Sequence, residues 1–325
     1  MRRIDFNKKN TRKSQYYMPL KSPGTDLSFN LLYNSSFIED LHLGIMPIGG
    51  RSENPKFAIK LNPPSKEVEG LISLGLPTYL GEPRDMAGTV CNFIEEAVHI
   101  LTSFGEAYYE IIYFYDGYSK IDNFMIFNIH NEIIKETFGF GWQLIPKEVL
   151  KKNKELKRFV LLPPKSLMIL TIPITLGGSR KFKKVISQLG SLSEDIIPPF
   201  VMKDIAVQQQ TKGYDFSTFR EQQETFLGKV TQNSGWTARG SFSDYTLEFY
   251  QIYRNLKFDK TKAILREYVL DKLNKSLERI GNKMGFEARL ELEGIPSYKD
   301  YDNYIKQLID GSLQFSDAYK LMRVY

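Results

Sequence analysis

Few side chains in this sequence have the types and spacings that do chemistry. The three histidines, His42, His99 and His130, lie far apart with neither His-x-His nor His-Glu-x-x-His spacing. A metal centre built mainly of imidazole is therefore not expected, and each histidine reads as a surface or hydrogen-bonded structural residue. Glu95-Glu96, or Glu106 with Glu110, offers oxygens of the kind that hold Mg²⁺, but no catalytic lysine or nucleotide motif accompanies them, so salt-bridged or solvated carboxylates are the simpler reading. The single cysteine, Cys91, falls in the apolar stripe of a helical pattern, where a thiol packs as a small hydrophobe with a raised pKa instead of acting as a nucleophile. Walker A, Gly-x-Gly-x-x-Gly and Gly-x-Ser-x-Gly patterns are all absent, and Gly49-Gly50 and Gly177-Gly178 read as turns. The expectation is a chain with no catalytic residues, no cofactor and no metal.

Charge is the other route to chemistry. The formal net charge is +6, and residues 1–21, with seven Lys or Arg and one Asp, account for all of it. Such an arm can sit on phosphates or on an acidic partner, but residues 1–26 read first as a basic, solvated terminus. Lys147 to Arg158 and Arg180 to Lys184 are smaller basic clusters. Between Arg254 and Arg289 ten basic residues face five acidic ones. From that stretch Lys257, Lys260, Lys262, Arg266, Lys272, Lys275 and Arg279 are the candidate DNA-facing or interface positions, with an ordinary solvated helix face as the alternative. Tyr and Phe number 19 and 22 and crowd the Phe104–Phe127 stretch. They can stack on unpaired bases, but without an RNP-like pattern a sheet core or a subunit interface is preferred.

These residues need elements to hold them. A chain of 325 residues, 42% hydrophobic, is long enough for about two domains with buried cores. Phe159 to Leu176 is its longest apolar stretch, broken by Pro163, Pro164, Lys165 and Pro173, so no membrane helix is expected. The first residues lack the apolar run of a secretory leader, and one cysteine fits a reducing compartment. Asp85 is placed to cap a helix whose apolar residues recur from Met86 to Phe104, and Gly105 to stop it. Two β-rich runs follow, EAYYEIIYFYD and IDNFMIFNI, with Asp116-Gly117 as the turn between them. Phe159–Leu162 and Leu167–Ile172 read as a third strand pair split by Pro163-Pro164. Helices are expected over 179–193 and 216–232, with Pro198-Pro199 and a linker at 206–214 between them. From Asp244 to about Gly281 one or two long helices are expected, with Leu265, Tyr268, Val269 and Leu273 packed and Lys262, Arg266 and Lys275 more exposed. A short strand, FEARLEL, an amphipathic helix around Tyr301–Ile309, a stop at Gly311 and a helix from about Ser316 complete the chain. Little can be assigned over 27–84.

This order of elements resembles the portal proteins of tailed bacteriophages. In that family a helix leads into a Gly-Asn-Ala-Tyr type strand and an Asp-Gly turn, matched here by Phe104, Gly105, Glu106, Ala107, Tyr108, Glu110, Asp116 and Gly117. Later family patterns are met by Leu270, Leu273, Asn274, Leu277, Phe286, Leu290, Leu292, Leu308, Gly311, Leu313 and Ala318. Glu106 stands where the family has Asn, Asp317-Ala318-Tyr319 stands for its Glu-Ala-Arg, and the chain is short for a portal. The resemblance covers most of 85–322 and implies an α+β fold: a wing-like α/β domain with hairpins (27–205), a stem-like helical region (206–285) and a short C-terminal strand and helices (286–325). It further implies a homo-oligomeric ring, a dodecamer, at one capsid vertex, through which double-stranded DNA is packaged and ejected. The implied partners are the large terminase subunit, the major capsid protein and a head-tail connector, and the implied location is the virion, reached from the host cytoplasm. The rival reading is a non-catalytic nucleic-acid-binding subunit of a mobile-element or antiviral defence complex, suggested by the basic arm and the basic helical stretch.

Overall fold

The computed structural model describes residues 33–47, 57–77, 85–116, 120–137, 140–145, 147–152, 158–194, 216–238 and 247–322. The basic arm, Gly49-Gly50, Gly117, Pro198-Pro199, the 206–214 linker and Asp244 lie outside these residues. The chain is mixed α and β with one long helix. Contacts gather it into two units, the first from residues within 46–171 and 266–295, the second from residues within 26–45, 172–265 and 296–325. Both are built from separated segments, whereas the sequence suggested consecutive blocks.

The first unit begins with strand β1 (Ala58–Asn62) and helix α2 (Lys66–Gly75); α1 (Tyr33–His42) belongs to the second. Helix α3 (Met86–Phe104) forms as its caps dictate. The Asp85 carboxylate accepts from Gly88 N at 2.7 Å, and Gly105, at φ 79°, closes the other end. Strands β2 (Glu106–Tyr115) and β3 (Ile121–Ile129) then form the expected antiparallel hairpin. Strands β4 (Ile134–Thr137) and β5 (Phe140–Leu144), helix α4 (Lys147–Lys152), and strands β6 (Phe159–Leu162) and β7 (Leu167–Thr171) follow.

The expected pairing of Phe159–Leu162 with Leu167–Ile172 is corrected. Both strands exist, but β6 pairs with β5 and β7 with β2, giving two three-stranded sheets, β3-β2-β7 and β4-β5-β6. Pro163, extended, and the 3₁₀ turn Pro164–Ser166 carry the chain from one sheet to the other. The residues between the strands make a crossover, not a hairpin turn.

One face of β2 carries Tyr109, Ile111 and Tyr113, with Ile126 and Phe124 opposite Ile111 and Tyr113. Helices α2 and α3 cover this face. The Phe93 ring lies 5.2 Å from that of Tyr109, and α2 approaches Phe124 so closely at Gly75 that a Cβ there would lie 2.5 Å from the ring. On the other face Tyr108 and Ile129 join Ile134, Val160, Leu162 and Leu167 in a core shared with the second sheet.

The second unit holds α1, helix α5 (Gly178–Glu194), helix α6 (Phe216–Val230), the first half of helix α7 (Glu248–Met284), and helices α8 (Tyr298–Ile309) and α9 (Phe315–Met322). Its core is Ile252, Leu256 and Ala263 of α7 against Tyr301, Leu308 and Ala318. Ser297 and Asp300 form a reciprocal capping box at the start of α8. The second half of α7 belongs to the first unit, where strand β8 (Arg289–Glu293) pairs with β1. Asn274 fixes β8 to that helix: its amide donates to Leu290 O at 2.9 Å and accepts from Leu290 N at 2.8 Å.

Candidate functional site

Of the carboxylates and thiol considered above, Glu95 lies near Cys91 on α3. The Glu106 carboxylate accepts from the Tyr108 hydroxyl at 2.7 Å, Glu110 is buried in the centre of β2, and among the described residues no three His, Cys, Asp or Glu side chains are grouped to hold a metal. Burial pushes the Cys91 thiol up to about 12, which leaves it protonated and inert at neutral pH. Burial also raises Glu95 to about 7. His42 is drawn below its ordinary range by burial, and its Nδ1 lies 3.0 Å from Ile38 O.

The basic stretch is what remains, and α7 treats its two halves differently. In the second unit Lys257 donates to Gln232 O at 2.7 Å and lies 5.6 Å from the Tyr253 ring, and its pKa is lowered by burial and then by Arg254 and Lys260. Lys260 pairs with Asp302 at 2.5 Å. Lys262, expected among the exposed residues, is half-buried: its ammonium lies 4.9 Å from the Phe258 ring and donates to Leu43 O at 3.1 Å. These three cations already serve internal acceptors.

Arg254, which charge and spacing did not single out, is 2% exposed and donates to Trp236 O, to Thr231 Oγ1 at 2.7 Å and to Gly228 O at 3.2 Å. It ties α7 to the end of α6 and the turn after it. That turn can approach so closely because Gly235, at φ 82°, has no Cβ; one there would lie 2.5 Å from Arg254 O. Leu265, near the end of this half, is buried as expected.

In the first unit the expected exposure of Arg266 is corrected, since the side chain is 1% exposed. Its position explains this. Arg266, Val269, Leu273, Ser276 and Ile280 recur at alternating steps of three and four and form the buried stripe of the helix. Val269 and Leu273 are thus buried as expected, and Tyr268 is half-buried with its hydroxyl accepting from Thr171 N at 3.1 Å.

Next to that stripe lies a second one, Tyr268, Lys272, Lys275, Arg279 and Lys283, spaced four, three, four and four residues apart and so on one face. Lys272 stands 5.5 Å from the Tyr268 ring and Lys283 4.2 Å from the Tyr113 ring. Lys275 is exposed and bridges to Asp271 at 2.7 Å, a solvated pair worth little. Arg279 is half-buried: it donates to Leu167 O at 3.0 Å and to Ser276 Oγ at 2.9 Å, and burial lowers its pKa while Tyr113 raises it. Exposed Lys165 precedes β7 beside it.

Of the seven expected residues, Lys272, Lys275 and Arg279 share one basic face, joined by Lys283; Lys257 lies on the same side of the helix but 15 residues before Lys272, while Lys260, Lys262 and Arg266 point to other sides. Lys283 was legible as the next step of the same spacing. Ammonium groups along a helix face can contact successive phosphates without reading bases. No helix among the described residues is long and apolar enough to cross a membrane. Compared with known proteins, the chain matches no protein-family model and no curated protein sequence.

Proposed function

We propose that the chain is a subunit of a closed homo-oligomeric ring around a channel for double-stranded DNA, a short counterpart of the portal subunit of tailed phages. The observation that carries this reading is the 37-residue helix α7, whose later half presents Lys272, Lys275, Arg279 and Lys283 along one face beside a helix-hairpin-strand core. That is the element order of the resemblance, with a phosphate-compatible surface on its longest helix. A dodecamer in the virion, and the large terminase subunit, major capsid protein and head-tail connector as partners, belong to the same proposal.

The reading is tested by negative-stain imaging and light scattering of the purified chain, and by DNA binding across a salt series. Closed rings, with affinity independent of sequence and falling steeply with salt, are expected. Replacing Lys272, Lys275 and Lys283 by Gln should keep assembly and reduce the log–log salt slope by about 0.9 for each phosphate that is no longer neutralised. A chain that stays monomeric with partners present, or that prefers one DNA sequence at physiological salt, overturns it. The basic face would also serve a subunit of a mobile-element or defence complex, which would copurify with unlike chains in fixed ratio.

A further inference from the structure

The outer face of β5 and β6 is apolar. In their antiparallel register Trp142 lies opposite Leu161 and Leu144 opposite Phe159. These four side chains are 44%, 45%, 41% and 61% exposed, while Gln143, Val160 and Leu162 between them are buried on the inner face. Solvated sheet faces normally alternate to polar residues here. Large side chains at such exposure leave roughly 350 Å² of apolar surface, within the range of the largest patch on an ordinary monomer, which is often a functional one. The patch is flanked by cations: Lys135 is the register partner of Trp142 on β4, and the Arg158 guanidinium lies 5.5 Å from the Phe159 ring.

Those cations decide what can cover it. A two-fold contact of this face with its own copy would set Lys135 and Arg158 near their counterparts, which like-charge repulsion disfavours. The chain also carries a second exposed apolar surface, with an acid in it. At the start of α7, Leu247, Phe249 and Tyr250 are exposed, as are Phe315 and Tyr319 on α9. Glu248 accepts a hydrogen bond from the Tyr319 hydroxyl, which joins the two helices there, while exposed Asp317, two residues before Tyr319, is already paired with Lys320 at 2.8 Å.

We infer that the Trp142–Leu144–Phe159–Leu161 face of one copy docks on the Leu247–Tyr250 and Phe315–Tyr319 surface of the next, with Arg158 and Lys135 meeting Glu248. The contact is heterologous, because each copy offers one surface of each kind, so it propagates from copy to copy. This names the subunit contact of the ring and rests on that reading.

Complementation tests it. Trp142→Glu with Phe159→Glu blocks one surface; Leu247→Glu with Phe249→Glu blocks the other. All four positions are exposed, and circular dichroism and melting temperature should match the wild type. Each double variant alone should be monomeric by sedimentation velocity. Mixed in equal amounts, they should form a dimer and stop there, since each supplies the surface the other lacks. A mixture that stays monomeric, or a double variant that assembles like the wild type, overturns the inference. Closed wild-type rings with no complementation would sink this contact and leave the ring reading standing. Complementation with wild-type chains that form only open filaments would do the reverse.

Discussion

The two three-stranded sheets of the first unit are built from similar apolar residues and end in opposite states. In β3-β2-β7 the central strand is buried from Ala107 to Phe114, with helices on one face and a shared core on the other. The backbone of its edge strand β7 is met by Tyr268 and Arg279 of α7. In β5 and β6 of the other sheet burial alternates, and the outward residues are as apolar as the inward ones. The first sheet has finished its burial within the chain; the second has a face left over. An apolar strand residue thus contributes to folding in one sheet and is available for association in the other.

That difference should show most severely at Leu273, on the buried stripe of the helix bonded to β7. Leu273→Asp would bury an unpaired carboxylate and should cost about 4 kcal/mol or more, leaving the chain unfolded by circular dichroism. If Leu273→Asp folds and assembles normally, the burial assigned to that helix is wrong. Gly75→Ala places a methyl against the Phe124 ring and should lower stability by about 1–3 kcal/mol in urea unfolding, because the ring is buried and cannot swing away.

A smaller effect sits on α3. Glu95 ordinarily titrates near 4.5 and is raised to about 7 in the fold by burial. Its contribution to stability is therefore complete below 4.5 and lost as pH rises toward 7. Glu95→Gln should flatten stability between those values, and an unchanged profile would show that the carboxylate is not held in a dry site. Smallest of all, Leu161→Ser on the outer face of β6 should leave the stability of the isolated subunit within about 0.5 kcal/mol of the wild type in urea unfolding. A large loss there would mean that this face is covered from within the chain.

Helix α3 and the β2–β3 hairpin of the first sheet were legible in the sequence because their signals are local: Asp85, the helical spacing to Phe104, Gly105 and the two β-rich runs each act within a few residues. The partners of β6 and β7 were not, because pairing across sheets is decided by distant segments, and Phe140–Leu144 carries little strand signal with a glycine at its second position. The basic helix face was half legible. Spacing identifies which charges share a side, but formal charge hides burial, so Arg266 looked like its solvated neighbours although its position continues the Leu273 and Ile280 stripe. Arg254 was missed for a related reason: its acceptors are backbone oxygens and the hydroxyls of Thr231 and Tyr250, which no charge count reveals.

The sequence holds two tryptophans, and each unit has one. Trp236 is buried in the second, its indole donating to Asp40 at 2.8 Å and its ring 5.2 Å from that of Phe37. Trp142 stands in water on the outer face of β5. The chain therefore carries two intrinsic optical reporters with opposite surroundings. Iodide should quench the red-shifted emission of Trp142 and spare that of Trp236, so Trp142→Phe and Trp236→Phe would each leave a single-unit signal. Shielding of the Trp142 signal from iodide on assembly would follow association without any added label, while the Trp236 signal would follow the melting of its own unit.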